Sequence, residues 1–269
     1  MSWTEAILLG LTQGITEFLP VSSSGHLVLA RTALDTAVEY GLAFDAVLHL
    51  ATVLAVIVYF RQDLYILGQT ALRKLGRLPV NRDEEILLYA LAIGTVPGVV
   101  LGLLLEPHIG AFFHNPIPVA AFLFAAALFF MFAEYKQFLR PNNSPITIRR
   151  GLLIGCYQVL ALLPGVSRSG ITIGAGMLLG LSRIAAARFS FLLAIPIITG
   201  VGAKKTLDLI VEGGEVALLP IAVAAVISFV IALLVIHFFL AFLRRYTLWP
   251  FIWYTILLAG FILLANWFA

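Results

Sequence analysis

Windows 86–105, 119–133, 216–236 and 251–269 contain no charged side chain. About twenty apolar residues make a helix long enough to cross a hydrocarbon core of ~30 Å. Flanking residues extend each window to that length, so the chain is expected to span a bilayer several times. Composition agrees: 61% of the 269 residues are hydrophobic and 12% are charged, against roughly 25% charged in soluble domains. A soluble globular domain is excluded, and the fold class expected is an all-α integral membrane protein. The first residues, "MSWTEAILLG", have no basic leader and no small-residue cleavage site, so they read as part of the mature helix set.

The charges that remain are clustered. The net charge of +3 comes from Lys and Arg in a few connections: 61–84, 136–150 and 243–248. Such loops are expected on the cytoplasmic side, and they argue for orientation rather than nucleic-acid binding. Segment 106–116 has no Lys or Arg, whereas 204–214 mixes Lys204 and Lys205 with Asp208 and Glu212. Cys156 is the single cysteine, so no internal disulfide can form, and it reads as a small helix residue.

An internal repeat organises the chain. "GLTQGITEFLPVSSSGH" (10–26) aligns with "GCYQVLALLPGVSRSGI" (155–171). Gly10 meets Gly155, Gln13 meets Gln158, and Val21, Ser22, Ser24 and Gly25 meet Val166, Ser167, Ser169 and Gly170, all at an offset of 145. Pro20 and Pro164 slip by one position, and Phe44 meets Phe189. The expected units are 1–145 and 146–269 within one membrane domain. Each motif segment, 3–35 and 147–182, is broken near its middle by proline and glycine, which suits a re-entrant helix–loop–helix. Three spans should follow each: 43–60, 85–105 and 117–138, then 184–203, 215–240 and 249–268. An odd number of spans per unit inverts the second copy, so the hairpin tips should meet near the midplane, with both termini outside.

Each tip reads as helix, proline, serines, glycine, helix. Serines after the break fall at N-cap positions, where the first N–H groups of a helix are unpaired and carry partial positive charge. Two such ends facing each other make an anion site, and Arg168 adds a planar cation suited to phosphate. Ser22, Ser24, Gly25, Ser167, Ser169 and Gly170 are the expected substrate-binding set, together with Gln13. Glu17 lies four residues after Gln13 on the same helix face and could hold a divalent cation or act as a base. Gln13 can add an uncharged oxygen, so Mg²⁺ or Ca²⁺ would be carried mostly by substrate phosphates. Ser23 and His26, three apart, are neighbours on a helix, and with Arg168 they are equipment for nucleophilic attack on phosphorus. Ionisable residues at membrane depth are usually functional.

Other candidates are weaker. "GVGAKKT" (200–206) lacks the glycine that a P-loop places before its Lys-Thr pair. His49 sits one turn after Asp45 and reads as a local hydrogen bond. His108 and His114 have no ligand spacing. "SSSGH" also resembles the Ser-Gly-His element of acid-phosphatase-type lipid phosphatases, but Gly174 stands where their nucleophilic histidine is expected.

"QGITEFLPVSSSGH" and "LPGVSRSGITIGAGMLLGLSR", with "FSFLLAIP" at 189–196, closely resemble the signature motifs of the undecaprenyl-diphosphate phosphatase, or bacitracin-resistance, family. The resemblance covers essentially the whole chain. It implies a bacterial inner-membrane enzyme of inverted-repeat fold, usually dimeric, with its site opening to the periplasmic side. The reaction implied is removal of the terminal phosphate of undecaprenyl diphosphate, which recycles the lipid carrier for peptidoglycan synthesis. By position, Glu17, Ser23, His26, Arg168 and Thr172 form the functional set, with Ser22, Ser167 and Ser169 in support. The family's first motif takes Glu or Gln at position 13, and this sequence has Gln. The expected nucleophile is Ser23, with Glu17 or His26 as proton acceptor, and His26 itself as nucleophile is the alternative. A lipid-phosphate flippase is the rival class, since inverted repeats with broken helices also build transporters.

Overall fold

The computed structural model describes residues 2–34, 41–109, 116–212 and 218–268, and among them the only regular structure is helical. Helix α1 (Trp3–Thr16) starts at a capping box in which the Ser2 hydroxyl accepts from Glu5 N and the Glu5 carboxylate accepts from Ser2 N. A tight turn separates it from α2 (Ser23–Leu34). The later helices of the first half are α3 (Gly41–Tyr59), α4 (Arg61–Leu75), α5 (Arg82–Ile109) and α6 (Pro116–Leu139). The second half holds α7 (Ile148–Gln158), a single 3-10 turn (Val159–Leu162) and α8 (Arg168–Leu178). It ends with α9 (Arg183–Glu212), α10 (Leu218–Leu243) and α11 (Trp249–Phe268).

Helices α5, α6, α9 and α10 are long and apolar enough to cross a membrane, and α3 with α4 makes a fifth candidate bent by 78°. The protein is a multi-pass membrane protein. The expected last span coincides with α11, which carries no charged residue. Both motif segments are broken helices, as their prolines and glycines predicted. Two expectations change. The connection 61–84 contains α4, a helix whose Leu67 and Thr70 are buried while Tyr65, Leu72 and Leu75 are exposed. The connection expected at 204–214 is mostly helix, because α9 runs to Glu212. The candidate loop "GVGAKKT" is thus inside a helix. Residues 110–115 and the chain ends, with His114 and the side chains of Lys205, Asp208, Glu212 and His108, lie outside the described residues.

Helices pack mainly across the two halves: α1 on α10, α7 on α5, α3 on α9 and α6 on α11. Small residues make the first two seams close. A Cβ on Gly155 of α7 would lie 2.0 Å from the Gly94 carbonyl oxygen of α5, and one on Gly10 of α1 would lie 2.6 Å from Ala224 O of α10. No side chain fits either place, and the backbones touch. Without a hydrophobic force between helices in lipid, such contact is what drives their association.

Beneath the tips lies an aromatic cluster of fully buried rings, with Phe18 edge-on to Phe191 at 5.2 Å and Phe60 next to Phe191 at 6.3 Å. Two ion pairs fix the frame around it. Glu134 of α6, with no exposed surface, accepts from Arg183 at the start of α9, and Leu248 N–H before α11 reaches the same carboxylate. Arg31 at the end of α2 forks onto Asp45 of α3, at 2.6 and 3.2 Å. That fork ties the exit of the first hairpin to the span that follows.

Candidate active site

The first tip is made by how α1 ends. Glu17 still bonds helically to Gln13 O at 3.0 Å, and Pro20 then stops the helix. The chain turns through Ser22, held in the left-handed region with a φ of 69°, and α2 starts at Ser23. The Ser22 hydroxyl caps α2 by accepting from Gly25 N at 3.3 Å. The second tip follows the same grammar. Gly165 takes a φ of 92°, and Ser167 caps α8 by accepting from Gly170 N at 3.1 Å. Both caps were expected from the serines' positions.

The tips are joined. Ser169 Oγ donates to Leu19 O at 3.0 Å, Ser167 Oγ stands 3.5 Å from the same carbonyl, and Gly165 N–H points to Ser24 Oγ at 3.5 Å. Across this junction Arg168 Nη2 donates to Glu17 Oε1 at 2.8 Å. Glu17 Oε2 accepts from Ser23 Oγ at 2.7 Å and from Gln13 Nε2 at 2.9 Å. The carboxylate is 4% exposed, so it is anchored from both tips and almost dry. Arg168 also lies 5.9 Å over the Phe18 ring, which supports the guanidinium from behind. Its Nη1 is buried with no partner, as is Gln13 Oε1. Buried donors and acceptors are nearly always satisfied. Both unpartnered groups flank Glu17, one on each tip.

Glu17, Ser23, Arg168 and Gln13 thus come together as expected. His26 does not join Ser23. Its Nδ1 is 2.7 Å from Ser22 O and its Nε2 is 2.7 Å from Tyr254 OH of α11, so both ring nitrogens are engaged elsewhere. The spacing argument failed because a helical side chain leans toward the N-terminus and reaches the carbonyl four residues back. Thr172 has no exposed surface, and its hydroxyl is shared between Ser190 Oγ at 2.6 Å and the Arg168 carbonyl at 2.8 Å. Ser169 is spent on Leu19, and Gly170 makes room for Phe130, whose Cζ would lie 1.9 Å from an added Cβ. Gly25 sits against Ser22 Oγ, and Ser22 and Ser24 lie 3.3 Å apart. These contacts hold the two tips together.

His49 is the residue that spacing missed. Its expected partner, Asp45, is taken by Arg31. His49 Nδ1 instead lies 2.9 Å from Gln13 Nε2 and 3.3 Å from Glu17 Oε2. The signal available was periodic: Asp45 and His49 are polar on an otherwise apolar span.

A metal would find few ligands from the protein. Among the described residues no group of three or more His, Cys, Asp or Glu stands together. Glu17 with the unpaired Gln13 Oε1 gives one carboxylate and one neutral oxygen. That set fits Mg²⁺ or Ca²⁺ only if substrate oxygens complete the shell.

A family model for the bacitracin resistance protein BacA matches residues 6–261. The chain belongs to this family. Curated relatives named undecaprenyl-diphosphatase align with nearly all of it. The protein from Trichlorobacter lovleyi is 41% identical over 95% of this chain and 94% of its own length. Those from Hahella chejuensis, 40% identical over 97% of both chains, and Micrococcus luteus, 38% identical over 97% of this chain and 95% of its own, match as fully. Within the BacA family, then, the two joined tips bring Ser23 and Arg168 of this chain within hydrogen-bond reach of Glu17.

Proposed function

We propose that this chain is a hydrolase that converts undecaprenyl diphosphate to undecaprenyl phosphate and inorganic phosphate. Family membership and the names of its relatives support the activity. The observation that carries it is the Ser23 hydroxyl on the Glu17 carboxylate, with Arg168 Nη1 unpaired beside them. Ser23 Oγ attacks the terminal phosphorus while Glu17 Oε2 takes its proton. The anhydride bond breaks, undecaprenyl phosphate leaves, and water then cleaves the phosphoserine and restores the hydroxyl. Arg168 neutralises charge on the transferring group, an electrostatic contribution that is often the largest single one. A Mg²⁺ or Ca²⁺ ion arriving with the diphosphate would be met by Glu17 and Gln13 Oε1 and would supply further charge neutralisation.

The two units 1–145 and 146–269 are proposed as inverted copies. Exchanging the halves turns the α1–α10 seam into the α7–α5 seam and returns the α3–α9 and α6–α11 pairs to themselves. That exchange supports two related copies, and the odd number of spans and the loop charges support their inversion. Loop charges support a cytoplasmic face at 61–84, 136–150 and 243–248. The resemblance to the family implies a site that opens to the outer side of the bacterial inner membrane and a homodimeric assembly.

Phosphate release from purified undecaprenyl diphosphate in detergent tests the activity, since transport is impossible there. Steady release supports the phosphatase. Binding without release would leave the flippase, which needs an anion site but no nucleophile.

A further inference from the structure

His26 is held at both ring nitrogens, and the identity of its partners fixes what it can do. Ser22 O is a backbone carbonyl and can only accept. A nitrogen 2.7 Å from it must carry the hydrogen, so Nδ1–H is the donor. In a ring with one proton, Nε2 then offers its lone pair and accepts from the Tyr254 hydroxyl at 2.7 Å. The two rings are nearly parallel, with planes 8° apart and centroids 5.6 Å apart, as an in-plane hydrogen bond between them requires. The same Ser22 carbonyl accepts from His26 N at 3.2 Å, so one residue clamps it twice.

Ser22 is where a clamp matters. Among the described residues other than glycine only Ser22 and Arg77 have positive φ. Such a conformation is strained and persists only where its surroundings hold it. The next residue is Ser23, whose hydroxyl must stay 2.7 Å from Glu17.

Resting on the phosphatase reading above, we propose that His26 and Tyr254 are positioning residues. Together they form a brace from α11 to the Ser22 carbonyl that holds the left-handed turn and so aims Ser23. His26 is neither nucleophile nor proton acceptor, because its lone pair is committed to Tyr254 and its N–H to Ser22. The last helix of the chain thereby becomes part of the site.

The test substitutes the imidazole by amides of different reach. Asn places a side-chain N–H where Nδ1–H stands, and Gln places one near Nε2. His26→Asn is expected to retain activity within about tenfold of wild type, whereas His26→Ala and His26→Gln fall by at least about a hundredfold. Tyr254→Phe keeps the ring and loses the hydroxyl, so kcat should drop roughly threefold to tenfold with KM unchanged. A His26→Asn protein as inactive as His26→Ala, beside an active wild type, overturns the brace and returns His26 to the chemistry.

A second readout is independent of turnover. The ¹⁵N histidine spectrum of the detergent-solubilised protein, with His26 assigned by its loss in His26→Asn, should show the Nδ1–H tautomer. Its Nε2 resonance should move in Tyr254→Phe. An Nε2–H tautomer overturns the proposal even if the wild type proves inactive on undecaprenyl diphosphate, an outcome that would sink the phosphatase reading alone.

Discussion

Replacing Arg168 by lysine separates charge from geometry at the centre of the site. In the structure one arm of the guanidinium, Nη2, holds Glu17 at 2.8 Å while the other, Nη1, is buried and unpaired. The fork can therefore bind Glu17 and a phosphate oxygen at once. A lysine nitrogen can keep the bond to Glu17, so the buried carboxylate retains a counter-charge and the fold should survive. It cannot also present a second N–H in a fixed plane to the phosphate. One charge-assisted hydrogen bond, roughly 1.5–3 kcal/mol, is then missing in the transition state, along with the guanidinium's support on Phe18. At 1.36 kcal/mol per decade this is about a ten- to hundredfold loss in kcat/KM, with kcat carrying most of it if the contact strengthens as the phosphoryl group transfers. Phosphate release measured in detergent against prenyl diphosphate concentration gives both constants, and a thermal melt checks folding. Turnover within about twofold of wild type, in a protein that melts normally, would mean Nη1 faces no substrate and would refute the site as described.

Four further outcomes follow from the same geometry. Ser23→Ala should abolish phosphate release while Ser24→Ala loses only a few-fold, since Ser24 reaches Gly165 N at no better than 3.5 Å; equal losses in single-turnover assays would remove Ser23 from the role of nucleophile. His49→Phe strips Glu17 and Gln13 of a polar neighbour and should lower kcat about tenfold, and an unchanged kcat would make the contact incidental. Gly155→Val forces side-chain atoms into the Gly94 carbonyl and should destabilise by about 3 kcal/mol, the upper end for overpacking; an unaltered melting curve in detergent would contradict the seam. In a Cys156→Ser background, single cysteines at Asn81 and Asn142 should resist an impermeant thiol reagent added from outside, and their labelling would overturn the inverted topology.

The parts of the site legible in sequence were those carried by local rules. A carboxylate and serines among apolar residues mark functional depth, proline marks the break, and serine marks the cap, so Glu17, Ser23 and Arg168 could be named before any fold. The remainder depended on which helix faces which. Asp45 looks free to pair with His49 one turn on, yet Arg31 reaches it from another helix, and His49 is left for Glu17. Tyr254 stands 228 positions from His26, and nothing in either segment joins them. Helix α4 was hidden because its charges read as a loop. The bend before it falls at Phe60, with no glycine or proline there to announce it. Thr172 was carried over by position, and its contact with Ser190 of α9 was not legible in either segment.

The glycine seams divide the chain for anyone wishing to stabilise it for study. Exchanging helical glycine for alanine commonly gains about 0.4–1 kcal/mol by restricting the unfolded chain, provided the new methyl has room. At Gly10, Gly94, Gly151 and Gly155 that methyl would collide with a neighbouring backbone. At Gly68, Gly200 and Gly260 it would meet nothing within 4 Å. The same substitution is thus an aid at the second set and a wedge between helices at the first, and only the seams tell the two apart.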